Sequence, residues 1–145
     1  MKAFTLVEIL IYIGIMAVFL TVLTSIFLTV LDVQLQSEAT SNVQIDARYI
    51  LSRLVYDIHR AGSISTPASA GQTANTLVTN VASYASASGN LQINGTDNLN
   101  SFATNLTNFS VTRLGNPSGK HTLTINFSLT DQSETKDYQV SVGLR

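Results

Sequence analysis

One acidic side chain, Glu8, stands at the start of a long apolar segment. The 23 residues that follow it, Ile9–Leu31, include no charged side chain. As a helix they would span about 35 Å, which is enough to cross a lipid bilayer. A carboxylate at membrane depth costs about 2.5–3.5 kcal/mol on insertion scales. Glu8 therefore requires a positively charged partner or a local role that offsets this cost.

The two histidines, His59 and His121, are the other candidates for acid–base chemistry. The sequence places His59 on a helix face beside Asp57 and Arg60, which favours a partly exposed helical residue over a catalytic base. His121 opens a predicted strand, where a surface position is expected. Neither histidine has metal ligands at a recognisable spacing.

Three acidic residues near the C-terminus, Asp131, Glu134 and Asp137, could hold Ca²⁺ together with loop carbonyls. A solvated turn explains them better, because residues 131–134 have the composition of a turn. The sequence contains no cysteine, which excludes disulfides and thiolate chemistry. We therefore predict no enzymatic activity, no metal site and no cofactor.

The charge of the chain is sparse and nearly balanced, with a net charge of −1 and a pI near 6.0. Aromatic residues make up 8% of the chain, and tryptophan is absent. Such a chain has little attraction for phosphates and few side chains that could stack on bases. We predict no nucleic-acid partner. A length of 145 residues, less a membrane span, leaves room for one modest domain.

The charges that flank the apolar segment predict its orientation in a membrane. Lys2 precedes the segment, whereas Asp32, Glu38 and Asp46 follow it before the first arginine, Arg48. The positive-inside bias then places the N-terminus in the cytoplasm. The segment is far longer than the apolar stretch of a cleaved secretory signal peptide. We expect a single-pass protein of the inner membrane whose C-terminal domain is periplasmic or extracellular.

The residues Ala3-Phe4-Thr5-Leu6-Val7-Glu8 resemble the class III signal of type IV pilins and pseudopilins. The resemblance implies cleavage between Ala3 and Phe4 by a prepilin peptidase, followed by methylation of the new Phe4 amine. It also implies that Glu8, within the motif that contains Thr5, acts in filament assembly. Ala3 stands where the family normally has glycine, and the leader 1–3 carries a single lysine.

The same resemblance implies a set of partners: other pilin or pseudopilin subunits, the prepilin peptidase and methyltransferase, an inner-membrane assembly platform, and lipid before assembly. Glu8 would pair with the cationic Phe4 amine of a neighbouring subunit, selecting axial register more than adding stability. An alternative needs no partner. Thr5 and Glu8 also have the spacing of a capping box, which would satisfy amides at the start of the helix.

The helix is expected to continue beyond the membrane segment to Ala61, with Gly62 as its C-cap. Polar residues over 33–42 allow a fray or a kink there. Beyond them the apolar residues recur at intervals of four and three, which indicates one buried face of an amphipathic helix. The residues predicted to pack this helix on a sheet are Val43, Ala47, Ile50, Leu54 and Ile58.

The C-terminal residues 106–145 show three stretches of alternating apolar and polar residues, which predicts an antiparallel β-meander with one apolar face. The preceding residues 62–105 are rich in Ala, Ser, Thr, Asn and Gly. We interpret them as a variable loop region. Within it, Leu91–Ile93 followed by Asn94-Gly95 is explained equally well by a strand entering a hairpin or by a surface loop.

Together these features predict an α+β, pilin-like fold: a leader (1–3), a transmembrane half of a spine helix (4–31), an amphipathic half (32–61), a loop region (62–105) and a sheet (106–145). Residues Ile50–Ile64 look like the end of the spine helix in J-type and W-type minor pseudopilins, which implies a minor subunit of a pilus, a type II secretion pseudopilus or a competence-type filament. The alternative is a membrane-anchored extracytoplasmic binding module that does not polymerise.

Overall fold

The computed structural model describes residues 5–115, 120–132 and 134–145. The predicted leader, the Ala3–Phe4 cleavage site and the methylation site Phe4 lie outside the described residues. By contact density the chain divides into two compact units, residues 1–37 and residues 38–145.

A single continuous helix, α1, extends over Leu6–Arg60. The polar residues 33–42, where a fray or kink is allowed by the sequence, are helical. In the first unit the apolar side chains of α1 are solvent-exposed. An 18-residue window of this helix has a mean hydropathy of 2.6, so the helix is long and apolar enough to cross a membrane.

In the second unit α1 is amphipathic. The five residues predicted to face a sheet, at positions 43, 47, 50, 54 and 58, are each at most 1% exposed. They share one hydrophobic core with strand residues such as Leu77, Leu91, Ile125 and Phe127. The α+β prediction, with a long N-terminal helix and antiparallel β-structure after it, is confirmed.

Within the described ranges nine strands follow the helix, and they form two antiparallel sheets rather than the single sheet that the sequence predicts. The first sheet has the order β1-β3-β4-β5-β6, and the second has the order β2-β7-β8-β9. The strands are β1 (Ile64–Thr66), β2 (Thr73–Ala74), β3 (Thr76–Thr79), β4 (Ser83–Ala87), β5 (Asn90–Ile93), β6 (Asp97–Asn98), β7 (Asn105–Leu114), β8 (Thr122–Asp131) and β9 (Glu134–Gly143).

The second sheet contains the predicted meander. Phe127 of β8 lies opposite Phe109 of β7 on one side and Tyr138 of β9 on the other. The rings of Phe127 and Tyr138 stack with their centroids 5.3 Å apart. Alternate residues over the first half of β8 are buried, as the period-two pattern requires.

The first sheet occupies the segment that was predicted to be a loop region. Its strands have two to five residues and are rich in small side chains, so their alternation is too short to stand out. Glycines supply the turns: Ser88-Gly89 joins β4 to β5, with positive φ at both residues. A Cβ at Gly89 would also lie 2.9 Å from the side-chain oxygen of Asn105. The strand at 90–93 and its turn at Asn94-Gly95, one of the two interpretations left open, are confirmed.

The end of α1 differs from the glycine cap that the sequence predicts. Gly62 is not among the glycines with positive φ. Instead, the side-chain oxygen of Asn80 accepts hydrogen bonds from the amides of Gly62 and Ser63, at 3.0 and 3.2 Å. An asparagine that is distant in the sequence therefore accepts the hydrogen bonds of two amides that follow the helix.

Candidate functional site

The site that the sequence predicts lies at the first turn of α1. The amide of Glu8 donates hydrogen bonds to the backbone oxygen of Thr5 at 3.1 Å and to the Thr5 hydroxyl oxygen at 3.3 Å. Thr5 therefore caps the helix, which is one half of a capping box. The Glu8 carboxylate accepts a hydrogen bond from the hydroxyl of Tyr12, one turn further on, at 3.3 Å. The structure thus brings together Thr5, Glu8 and an unpredicted third residue, Tyr12.

Glu8 is partly buried within a segment whose apolar neighbours are exposed. A hydroxyl donor stabilises a carboxylate but does not neutralise it, so an ionised Glu8 in an apolar medium still needs a cation. The helix start by itself favours negative charge by about 0.3–1 kcal/mol. That is less than the cost of placing the carboxylate in hydrocarbon.

The polar side chains further along the apolar segment are satisfied within the helix. The hydroxyls of Thr21, Thr24 and Thr29 each donate to the carbonyl four residues earlier, and Ser25 donates to the carbonyl three residues earlier, at 2.8–2.9 Å. Hydroxyls bonded in this way need no water, so these residues are compatible with a lipid surrounding. Glu8 differs from them because it carries a full charge.

Two carboxylates on the second half of α1, those of Asp46 and Asp57, are buried. Asp57 is 2% exposed and accepts hydrogen bonds from the Tyr84 hydroxyl at 2.5 Å and from Arg53 Nε at 3.0 Å. Burial and the bond to Asp57 raise the pKa of Tyr84. The negative charge of Asp57 raises the pKa of Arg53. This cluster fastens α1 to strand β4 of the first sheet.

Asp46 is the second buried carboxylate, and it holds a loop. Its Oδ2 atom accepts three hydrogen bonds: from the Ser101 amide at 2.9 Å, the Ser101 hydroxyl at 2.7 Å and the Thr104 hydroxyl at 2.5 Å. Both ends of the loop 101–104 are therefore bound to one oxygen atom. Between them Phe102 is fully exposed to solvent.

A cleft of about 580 Å³ lies beside this loop. The described residues that line it are Glu38, Asn42, Ile45, Asp46, Ser101, Phe102, Ala103, Asp131 and Gln132. Asp131 is buried, not solvated as its turn composition predicts, because its carboxylate accepts a hydrogen bond of 2.9 Å from Asn42. Since one of its carboxylate oxygens binds a helix side chain, Asp131 serves to attach the β8–β9 turn to α1.

Asp137 and His121 are further titratable residues that the sequence offers for chemistry. Within the described ranges there is no group of three or more His, Cys, Asp or Glu side chains that could hold a metal ion. Asp137 accepts a hydrogen bond from the Ser128 hydroxyl at 2.6 Å. His121 is half-buried rather than on the surface, and its Nδ1 atom has no hydrogen-bond partner in the part of the chain that the structure describes.

Comparison of the chain with protein-family models, with curated proteins and with solved structures finds no match. The chain is therefore characterised by its own features: an N-terminal helix that is long and apolar enough to serve as a single membrane anchor, a carboxylate at the start of that helix, and an α+β domain.

Proposed function

We propose that the chain is a structural subunit of a type IV pilin-like filament, such as a pilus, a type II secretion pseudopilus or a competence-type filament. The observation that carries this proposal is Glu8, one charged side chain at the start of an otherwise uncharged segment of exposed apolar residues. The motif Ala3-Phe4-Thr5-Leu6-Val7-Glu8 around it is the second support. Before assembly the apolar half of α1 holds the subunit in the inner membrane, with the domain outside.

In the proposed filament the negative charge of Glu8 determines which group of an adjacent subunit it contacts. Cleavage after Ala3 creates a cationic amine on Phe4, and that amine on an adjacent subunit supplies the counter-charge. In a medium of low dielectric the attraction is strong, but it must offset the desolvation of both groups. The pair therefore fixes the axial position of one helix against another, while apolar contacts supply most of the association energy.

A second candidate function, a membrane-anchored binding module, is favoured by one observation: the cleft beside Phe102. Such a module would use the domain at 38–145 to hold a ligand, and Glu8 would act only as part of the helix cap. The two proposals differ in what they require of the N-terminus.

Two measurements on the full chain in its own cell test the filament proposal. Mass spectrometry of the mature protein is expected to find a methylated Phe4 at the N-terminus, and Glu8→Ala is expected to abolish incorporation into filaments while the protein stays in the membrane. An intact Met1 together with normal function of Glu8→Ala would contradict the proposal. Thr5→Ala is the matched control for capping, because it removes the cap and keeps the charge.

A further inference from the structure

Phe102 is an apolar side chain presented to solvent by a firmly held loop. The hydrogen bonds from Ser101 and Thr104 to Asp46 fix both ends of the loop, and no other large apolar side chain of the domain is as exposed among the described residues. A rigid, exposed aromatic residue loses little conformational freedom on binding, which is a property of the residues that dominate protein interfaces.

The surroundings of Phe102 indicate what kind of partner fits. Ile45, which is 61% exposed, adds apolar surface to the same cleft, and Glu38, Asp46 and Asp131 add carboxylates. None of the described residues that line the cleft is a lysine or an arginine. The cleft therefore favours a partner surface that is both apolar and positively charged.

The same chain presents such a surface further along α1. Tyr49, Arg53, Tyr56 and Arg60, which we call the Arg-Tyr face, recur at intervals of three and four residues along α1 and are all exposed. The acidic residues of this part of the helix, at 46 and 57, are buried, so the exposed charges are basic. Arg60 lies over the ring of Tyr56 at 5.3 Å and donates a hydrogen bond of 3.0 Å to its hydroxyl, which keeps the two side chains together.

We propose that the cleft beside Phe102 receives the Arg-Tyr face of a second copy of this chain. Phe102 packs against the tyrosines and arginines, and Glu38, an exposed residue of the cleft lining, attracts the guanidinium groups. Between parallel copies that are offset along the helix the contact is heterologous, because the Arg-Tyr face of the first copy stays open to a third copy, so the contact continues from copy to copy. The two arginines of this face, Arg53 and Arg60, lie 15 and 22 residues after Glu38, so neighbouring copies are offset by about 22–33 Å along the helix.

This inference rests on the proposed function, since it names the contact by which subunits of the filament adjoin outside the membrane. The absence of native cysteine allows a clean test by disulfide trapping in the full-length protein. One copy carries Phe102→Cys and a second, co-expressed copy carries Tyr56→Cys. A disulfide requires Cα atoms within about 7 Å, so it reports direct contact.

Oxidation of the assembled material is expected to give at least a tenfold excess of Phe102→Cys/Tyr56→Cys heterodimer over a control pair. The control replaces Phe102→Cys by Ser86→Cys, an exposed position of β4 outside both surfaces. A yield equal to the control, homodimers of Phe102→Cys alone, or a cross-link to a different protein would each overturn the proposal.

Charge reversal provides a second test of the proposed contact. Glu38→Arg on the Phe102→Cys copy is expected to lower the heterodimer yield several-fold, and Arg60→Glu on the Tyr56→Cys copy is expected to restore it. An undiminished yield, or a loss that the Arg60→Glu reversal does not restore, would overturn the charge pairing. If Glu8→Ala abolishes filaments and the cysteine pair still fails to link in wild-type filaments, the inference alone fails. If Glu8→Ala leaves filaments intact, the proposed function fails.

Discussion

The carboxylate of Asp57 accepts a hydrogen bond of 2.5 Å from the hydroxyl of Tyr84, which joins the helix to the first sheet through two buried side chains. Arg53 approaches the same oxygen from the exposed side. The fold therefore positions a charge inside its core and satisfies that charge with one buried and one partly exposed donor. Removal of the Asp57 carboxylate would leave the buried Tyr84 hydroxyl without its acceptor, which costs more than the loss of a surface ion pair.

The first prediction concerns this cluster. Asp57→Ala leaves the Tyr84 hydroxyl buried without its acceptor and opens a small cavity, so it should lower the free energy of unfolding by about 3 kcal/mol. Arg53→Ala is the matched control. Its side chain is 44% exposed, and we expect a loss of at most about 1 kcal/mol. Thermal unfolding of the full chain in detergent measures the stability of both variants. Equal losses of unfolding free energy would contradict the conclusion that the buried Tyr84–Asp57 hydrogen bond is the important contact.

The second prediction concerns alkaline pH. The folded state raises the pKa of Tyr84 above its ordinary value of about 10, chiefly by burial. The stabilisation that this shift represents is complete below pH 10 and decreases as the pH rises toward the folded pKa, by about 1.4 kcal/mol per pH unit. Tyr84→Phe should therefore lose less stability between pH 10 and 11 than the wild type. Parallel slopes in the two proteins would contradict the prediction.

The third prediction concerns Tyr138, whose buried hydroxyl has no hydrogen-bond partner among the described residues. Burial raises its pKa as well. Tyr138→Phe keeps the stack on Phe127 and removes the unsatisfied group, so its unfolding free energy should equal or exceed that of the wild type by up to about 1 kcal/mol. Tyr138→Ala, which removes the ring, should be clearly destabilised. A destabilised Phe variant would indicate a partner for the hydroxyl.

The fourth prediction concerns the loop that presents Phe102. Asp46→Asn replaces the charged acceptor of three hydrogen bonds from Ser101 and Thr104 by a neutral amide oxygen, which accepts more weakly. Hydrogen exchange at the Ser101 amide should become at least tenfold faster. The amide of Ile125, in the buried centre of strand β8 and paired on both sides, is the internal control and should exchange at its wild-type rate. An unchanged exchange rate of the Ser101 amide would contradict the conclusion that Asp46 holds the loop.

The sequence predicts those elements of the fold in which the periodic pattern of apolar residues extends over ten or more residues. The stripe from Val43 to Ile58 covers more than four turns, and the strands β7 to β9 have ten residues each. Over such lengths the period of the apolar residues distinguishes helix from strand without ambiguity.

The parts that the sequence does not predict depend on distant partners. Asp46 and Asp57 have the composition of a solvated helix face, and only the positions of Thr104 and Tyr84, which are 58 and 27 residues away, make their burial favourable. The end of α1 is similar, because the amides of Gly62 and Ser63, which would donate to helix carbonyls in a glycine cap, donate instead to the side chain of Asn80, 18 residues after Gly62. Most of the first sheet is not predicted, and its strand at 90–93 is only one of two interpretations, because Ala and Asn are poor strand formers whose pairing is decided by the core beneath them.

The charge of Glu8 is tested most directly by Glu8→Gln in the full-length protein, scored by the amount of subunit recovered in filaments. Glutamine keeps the shape of the side chain and serves in a capping box as well as glutamate does, but it cannot attract a cationic amine. The filament account predicts normal membrane insertion and loss of at least nine-tenths of filament incorporation. Filament incorporation at the wild-type level would contradict it and leave capping as the role of Glu8.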